Sequence, residues 1–243
     1  MQTFLTLPHA HDEPLPEWAD AEPDLRLPRP LVGRIVTSCS EPGDVVLDLF
    51  AGFGTTLAAA EAGEREAYGV EYDARRAEYI RSRLDHPERV VHGDAATVDL
   101  DRFPAIDLLV TSPPYMVAGM DANPLENYAD ESETSYDDYL DDLRGIIDRF
   151  RATFAPDATV VVEVSNLKFL GEVTPLAFDV AGELRTVLDF RGEVVVGWTD
   201  TEGASEETTA EGPFQNGKRL DEDANGTYSY GYDHSYCLVF DAP

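Results

Sequence analysis

The sequence predicts one α/β domain built on a doubly wound, mostly parallel sheet. Five apolar strand segments alternate with helical segments between residues 44 and 188, and two further strand segments lie near the end of the chain. Strands that alternate with helices in this way are typical of parallel sheets with helices on both faces. A chain of 243 residues, 43% of them hydrophobic, is long enough for one such core. We therefore predict a seven-stranded sheet in a single domain, residues 27–243, after an N-terminal arm, residues 1–26.

The first predicted strand ends in a turn that contains two glycines. Residues 44–50 read Asp-Val-Val-Leu-Asp-Leu-Phe, and residues 51–56 read Ala-Gly-Phe-Gly-Thr-Thr before an alanine-rich helix. Gly52 and Gly54 permit a tight turn and leave room for a ligand, while the N–H groups that open the helix can bind a carboxylate. The dinucleotide-binding fingerprint is excluded because its third glycine is missing. The preceding helix, residues 30–39, is predicted either to wall the ligand pocket or simply to pack on the sheet.

Two more strands end in acidic residues. Residues 67–71 end with Glu71, which precedes Tyr72, and residues 89–95 end with Gly-Asp-Ala, where Asp94 is the acid. An acid at the tip of the second strand of such a sheet is suited to bind both hydroxyls of a ribose. The alternative is that Glu71 is one more surface carboxylate in an acid-rich chain.

The fourth predicted strand, residues 106–111, stops at Ser-Pro-Pro-Tyr, residues 112–115. Neither proline can donate a hydrogen bond to the sheet, and the second holds the first in an extended conformation. The result is a stiff turn that can hold the Ser112 hydroxyl, the Pro113 carbonyl and the Tyr115 ring in fixed relation. Open α/β sheets bind their ligands at such strand ends, so this turn is the strongest candidate for a reactive site.

Two long polar segments, residues 116–134 and 199–234, interrupt the pattern. Loops of this length are usually functional or disordered, and three tyrosines in the second could stack on bases. We predict both as target-recognition elements, although the second could equally be an acidic insertion. Between them, Ser135 and Asp138 predict a capped helix, and residues 159–164 the fifth strand.

The charge composition is strongly acidic. The chain has 48 Asp and Glu against 18 Lys and Arg, a formal charge of −30, which resembles proteins of halophilic archaea. In molar salt the Debye length is about 3 Å, so the carboxylates stay solvated without strong mutual repulsion. No apolar run reaches the length of a membrane span and residues 1–24 lack a signal-like core, which predicts a cytoplasmic protein. Cys39 and Cys237 are expected to be buried thiols, and His9 and His11 to be solvent-exposed.

The pattern Asp-x-Phe-x-Gly-x-Gly at residues 48–54, followed by Ser-Pro-Pro-Tyr at residues 112–115, resembles motifs I and IV of the DNA amino-methyltransferases. The resemblance implies a Rossmann-like class I methyltransferase fold, S-adenosyl-L-methionine as cofactor and no metal. It implies the following cofactor-binding residues: Asp48, Phe50, Gly52, Gly54, Thr55, Thr56, Glu71, Tyr72, Asp94 and Ala95. It implies the following catalytic residues: Ser112, Pro113, Pro114 and Tyr115.

The family methylates exocyclic amines of flipped DNA bases, often within restriction-modification systems. Ser rather than Asp at position 112 favours cytosine N4 over adenine N6. The absence of a Pro-Cys nucleophile argues against methylation of cytosine carbon 5. Two alternatives stay open, an RNA guanine or adenine amino-methyltransferase and a non-catalytic subunit that retains the fold. The expected partner is DNA, or RNA under the first alternative. The sequence does not distinguish a monomer from a homodimer.

Overall fold

The computed structural model describes residues 2–19, 25–116, 123–125, 134–169, 172–199 and 234–243. Its main sheet and one small hairpin contain the following strands: β1 (Phe4–Pro8), β2 (Val45–Asp48), β3 (Glu66–Glu71), β4 (Val90–His92), β5 (Ile106–Thr111), β6 (Phe154–Val164), β7 (Leu167–Phe169), β8 (Glu172–Thr174), β9 (Asp189–Thr199) and β10 (His234–Asp241). The α-helices of the described residues are α1 (Arg29–Cys39), α2 (Thr55–Ala62), α3 (Ala74–Arg81), α4 (Tyr136–Phe150) and α5 (Leu176–Leu184).

The main sheet has the strand order β1-β9-β10-β6-β5-β2-β3-β4. The strands from β2 to β6 run parallel to one another, whereas β10 lies antiparallel between β6 and β9. The chain moves from β2 outward to β4 on one side and then returns to place β5 on the other side of β2. The carboxyl ends of β2 and β5 therefore meet at the point where the strand order reverses, which is where such folds bind ligands.

The doubly wound α/β class is as predicted, but the sheet of the described residues has eight strands rather than seven. The additional strand comes from the predicted N-terminal arm, because Phe4–Pro8 pairs in parallel with Val195–Thr199 at the sheet edge. The expectation that His9 and His11 are solvent-exposed is wrong. Both are half-buried, and the His9 ring packs edge-on against both His11 and Trp198.

Local sequence signals locate most of the helices well. Pro30 lies in the first turn of α1, and Ser135 and Asp138 form the predicted capping box at the start of α4. The last helix, α5, begins only at Leu176, because the preceding strand β8 pairs with β7 in a two-stranded hairpin. Of the two predicted recognition segments, only Met116, residues 123–125, Thr134, Thr199 and His234 lie among the described residues.

Helices cover both faces of the sheet with their apolar sides, as predicted. Alternate residues of β5 point to opposite faces, so that Leu109 joins a core with α4 and α5, whereas Leu108 and Val110 join a core with α1, α2 and α3. The expectation of two buried thiols holds for Cys237, which lies in the second core, whereas Cys39 is only half-buried at the edge of that core. Among the helices that the structure describes, none is both long and apolar enough to cross a membrane.

The contact between α2 and β3 depends on a glycine in the strand. A Cβ at Gly69 would lie 2.7 Å from Leu57 Cδ2 and 3.3 Å from Ala51 Cβ. The absence of a side chain therefore allows α2 to pack directly on the sheet, and this helix begins at the glycine-containing turn.

Gly69→Ala is expected to lower the free energy of unfolding by about 1–3 kcal/mol, because the added methyl group overpacks this contact. The matched control is Gly145→Ala in α4, where a Cβ would meet nothing within 4 Å. That change should raise the free energy of unfolding by about 0.5–1 kcal/mol through helix propensity. Urea unfolding of both variants in high salt checks the pair, and equal effects would contradict the close α2–β3 contact.

Candidate functional site

The glycine-containing turn after β2 and the double-proline turn after β5 lie side by side. The Thr111 hydroxyl, on the last residue of β5, donates a 2.8 Å hydrogen bond to Asp48 Oδ1, on the last residue of β2. The Phe50 N–H donates to the same oxygen at 3.1 Å. One buried carboxyl group thus joins the ends of both strands and the start of the first turn.

Two adjoining cavities open at this rim of the sheet. The large cavity has a volume of about 520 Å³ and is bordered by Glu71 and Asp94 on one side and by Ser112–Tyr115 on the other. The small cavity has a volume of about 220 Å³ and lies against Asp48, Thr55 and Thr56. The two cavities share five lining residues: Leu25, Phe50, Gly52, Arg76 and Ser112.

Asp48 is almost fully buried, with 3% of its surface exposed. Desolvation raises the pKa of its carboxyl group, while the hydroxyls of Thr56 and Thr111 and the Phe50 N–H act in the opposite direction. With these donors around it, Asp48 organises the rim and borders the small cavity.

Glu71 organises the turn in a similar way from β3. One of its carboxyl oxygens accepts the Gly52 N–H at 2.7 Å, and the other accepts the Asp73 N–H at 2.8 Å. Burial raises the pKa of Glu71, and these two N–H groups oppose that effect. Because Glu71 is 7% exposed and lines the large cavity, it is not the surface carboxylate of the alternative interpretation.

The other predicted cofactor-binding residues lie around the same rim with one exception. Tyr72, Asp94 and Ala95 line the large cavity. Gly54 lines neither cavity; its backbone φ is 82°, and a Cβ added to it would lie 3.0 Å from Ile80 Cγ2, so its role is to permit the turn. None of the described residues lining the cavities belongs to α1, which supports packing on the sheet as the role of that helix.

The double-proline turn holds its polar groups against a buried glutamate. Glu163 Oε2, on β6, accepts hydrogen bonds from the Ser112 hydroxyl at 3.0 Å and from the Tyr115 hydroxyl at 2.8 Å. Glu163 is fully buried, and desolvation raises its pKa. Ser112 and Tyr115 are only partly buried and line the large cavity together with Pro113 and Pro114.

Sequence reasoning missed several residues of this site. Glu163 was assigned only to a strand, although a lone acid within Val160–Val164 is a signal that a buried carboxyl group has a specific partner. Leu25, Arg26 and Leu27 line the small cavity from the N-terminal side, and Arg76 lies 5.0 Å above the Phe53 ring. No local pattern marks these residues, since their position depends on the folded chain.

Comparisons with known proteins were consistent with this geometry. Residues 17–82 match the sequence model of the N6_N4_Mtase family, described as DNA methylase. Type II methyltransferase M.BglII from Bacillus subtilis is 37% identical over 70 residues, which is 29% of this chain and 18% of that protein. DNA adenine methyltransferase YhdJ from Escherichia coli K12 is 41% identical over 68 residues, 28% of this chain and 22% of that protein. The matched segments thus span about a fifth of the length of these relatives.

Solved structures share the fold over most of the chain. N-methyltransferase NodS from Bradyrhizobium japonicum, in complex with S-adenosyl-L-homocysteine, has a TM-score of 0.52 at 13% identity and covers 96% of this chain and 94% of its own. A TehB-like SAM-dependent methyltransferase from Corynebacterium glutamicum has a TM-score of 0.50 at 16% identity and covers 87% of each chain. The predicted Rossmann-like class I methyltransferase fold is therefore confirmed, and so is the predicted resemblance to the DNA amino-methyltransferases, through residues 17–82.

Glu71→Gln is expected to lower the free energy of unfolding by about 1–3 kcal/mol. An amide has one acceptor oxygen, so either the Gly52 or the Asp73 N–H would face an NH₂ group instead of an oxygen. Urea unfolding at neutral pH measures the loss. Glu78→Gln, at an exposed position of α3, is the matched control and should change stability by less than about 0.5 kcal/mol. Equal stability of the two variants would contradict the role of Glu71 in holding the turn.

Proposed function

Because residues 17–82 carry a DNA methylase match on a class I methyltransferase fold, we propose that this protein is an S-adenosylmethionine-dependent DNA amino-methyltransferase. It transfers a methyl group to an exocyclic amine of a flipped base, with cytosine N4 favoured over adenine N6. One observation carries the proposal: Ser112, in the Ser-Pro-Pro-Tyr turn, lines both cavities, and so stands where a cofactor and a base would meet. The description of the matching family model, DNA methylase, and the name of one relative, DNA adenine methyltransferase YhdJ, support DNA as the substrate.

The cavities fit the cofactor by size and by the chemistry of their walls. The large cavity lies within the range of about 300–1,000 Å³ that is usual for small-molecule sites. In this proposal Glu71 binds the ribose hydroxyls, and Asp94 with Ala95 binds the adenine ring; all three line the large cavity. Thr55 and Thr56 border the small cavity, where they can bind the amino-acid end of the cofactor. When bound, S-adenosylmethionine supplies an electrophilic methyl group on its sulfonium.

The residues of the double-proline turn act on the base. An exocyclic amine is a poor nucleophile because its lone pair is delocalised into the ring. The Ser112 hydroxyl oxygen and the Pro113 carbonyl can each accept one of its N–H bonds, which favours a tetrahedral nitrogen and stabilises the developing positive charge. Tyr115 offers a ring on which the flipped base can stack. Pro113 and Pro114 keep these three groups in fixed relative positions, because the two proline rings make the backbone of the turn stiff.

The identity of the methylated base, cytosine or adenine, is the more specific part of the proposal. Ser at position 112 favours cytosine within the family, whereas one of the two curated relatives is named as an adenine methyltransferase. Mass spectrometry of nucleosides from DNA and RNA, after incubation with protein and cofactor in molar KCl, tests it. N4-methylcytosine in DNA is the expected product. Detection of N6-methyladenine in DNA would change only the identity of the target base in the proposal. Methylated RNA with unmethylated DNA would overturn DNA as the substrate, and the absence of any methylated nucleoside would overturn the enzyme.

Ser112→Ala is expected to lower kcat by about 10²-fold, because it removes one acceptor of the amine protons at the reacting atom. The affinity for S-adenosylmethionine should stay within about twofold of wild type, since the change leaves the walls around Glu71 and Asp94 in place. Labelled methyl transfer and isothermal titration calorimetry measure the two effects. Ser82→Ala, at an exposed serine at the end of α3, is the control and should keep full activity. An unchanged kcat in Ser112→Ala would contradict the assigned role.

A further inference from the structure

Glu163 is a fully buried carboxyl group that the proposed mechanism does not yet use. It lies in β6, next to the last residue of the strand, and pairs with Cys237 of β10. Burying a carboxyl group away from water is expensive unless hydrogen bonds or opposite charges compensate. No Lys or Arg among the described residues contributes to its electrostatic environment. Its compensation comes instead from hydroxyl groups, and two of these belong to the Ser-Pro-Pro-Tyr turn.

The direction of these hydrogen bonds sets the orientation of Ser112. In its ionised form Glu163 can only accept, so the hydroxyl protons of both Ser112 and Tyr115 then point towards Glu163 Oε2. The remaining lone pairs of the Ser112 oxygen are then available on the side of the cavities that this residue lines. A hydroxyl without such an acceptor behind it could rotate and offer its proton to the substrate instead.

Glu163 also changes the charge at this position. A neutral serine is a weaker partner for a developing positive charge than a carboxylate is. Here the carboxyl group lies one hydrogen bond behind the serine, at 3.0 Å. A buried carboxylate acts through a medium of low dielectric constant, so its effect is not screened as it would be in water.

We propose that Glu163 is the positioning residue of the Ser-Pro-Pro-Tyr turn: it orients the Ser112 hydroxyl as an acceptor, supplies negative charge behind it and receives the proton that the amine loses. This inference rests on the proposed methyltransferase function. The amine lone pair forms the N–C bond while the electrons of the C–S bond stay on sulfur, and one amine N–H bond then breaks. Its proton goes to Ser112 Oγ as the proton of Ser112 moves to Glu163 Oε2. The resulting carboxylic acid returns its proton to solvent after product release.

The groups that face Glu163 predict the pH dependence. Ser112 and Tyr115 face Glu163 from the double-proline turn. Ser235 and Cys237 face it from β10. Desolvation raises the pKa of Glu163 and the three hydroxyls oppose this rise, while the pKa of Cys237 is also raised, so its thiol stays neutral. The ionised form of Glu163 is the active one, so turnover should fall as the pH drops through a pKa above the ordinary value of 4.5.

Glu163→Gln is the decisive variant, because it keeps the size of the side chain and removes its charge. We expect kcat to fall by about 10²-fold and the acid limb of the kcat profile to disappear. The affinity for S-adenosylmethionine should stay within about twofold, because Glu163 lines neither cavity. An unchanged kcat and pH profile would overturn the inference. So would a parallel loss of turnover and cofactor affinity, since that is the result of a purely structural role.

A second variant tests whether the charge itself matters. Ser112→Asp combined with Glu163→Gln moves the carboxylate from β6 to the double-proline turn. This double variant should recover at least about tenfold in kcat over Glu163→Gln alone. Ser112→Asp alone places two carboxyl groups at one site and should raise the pH needed for full activity. A double variant that is no more active than Glu163→Gln would overturn the charge role.

A stability measurement tests the buried carboxyl group without any methyl transfer. The folded protein holds the proton of Glu163 more tightly than the unfolded chain does, so protonation of Glu163 stabilises the folded state. This contribution to stability is fully present below pH 4.5 and is lost as the pH rises through the folded-state pKa. The free energy of unfolding of Glu163→Gln, relative to wild type, should therefore increase with pH above 4.5. A pH-independent difference would overturn the buried state of Glu163. If wild type methylates no nucleic acid the proposed function fails, whereas active wild type with equally active Glu163→Gln refutes only the present inference.

Discussion

The hydrogen bond from the Thr111 hydroxyl to Asp48 joins the two halves of the site. It connects residues 63 positions apart at the ends of neighbouring parallel strands, in the interior of the protein. Because β2 and β5 are adjacent only where the strand order reverses, this contact exists only in the complete sheet. The glycine-containing turn and the double-proline turn are each stiff, so fixing the strand ends also fixes the separation of the groups that these turns carry. This contact, together with the pairing of β2 with β5, therefore contributes to the geometry of both cavities.

Three buried acids each hold a different part of the rim in place. Asp48 joins the strand ends, Glu71 accepts the Gly52 and Asp73 N–H groups, and Glu163 accepts the hydroxyl protons of the double-proline turn. Each of them accepts two hydrogen bonds, and burial raises the pKa of all three. Neutral donors orient a carboxyl group without neutralising it. They thereby give the rim a fixed geometry.

Local patterns in the sequence were sufficient for the elements that short-range chemistry determines. The strand ends, the turns at Gly52 and Pro113 and the capping box at Ser135 each depend on a few adjacent residues. Contacts between distant segments were not accessible in the same way. The strand Phe4–Pro8 exists because it pairs with residues 195–199, and Glu163 matters because Ser112 lies 51 positions away. The acid within a valine-rich strand was visible in the sequence, but only the fold shows which hydroxyls compensate it.

The acidic composition is compatible with the chemistry of the site, because the surface charges lie in salt solution whereas Glu163 lies in the interior of the protein. A formal charge of −30 would repel a polyanion in dilute buffer, and the composition predicts that the protein works in molar salt. There, surface charges are screened within about 3 Å and the release of counterions from DNA contributes little to affinity. Salt does not reach a fully buried carboxyl group such as Glu163, so its effect on Ser112 persists when surface electrostatics do not. The proposed function therefore relies on stacking and hydrogen bonds to the base, which are interactions that Tyr115, Ser112 and Pro113 can offer.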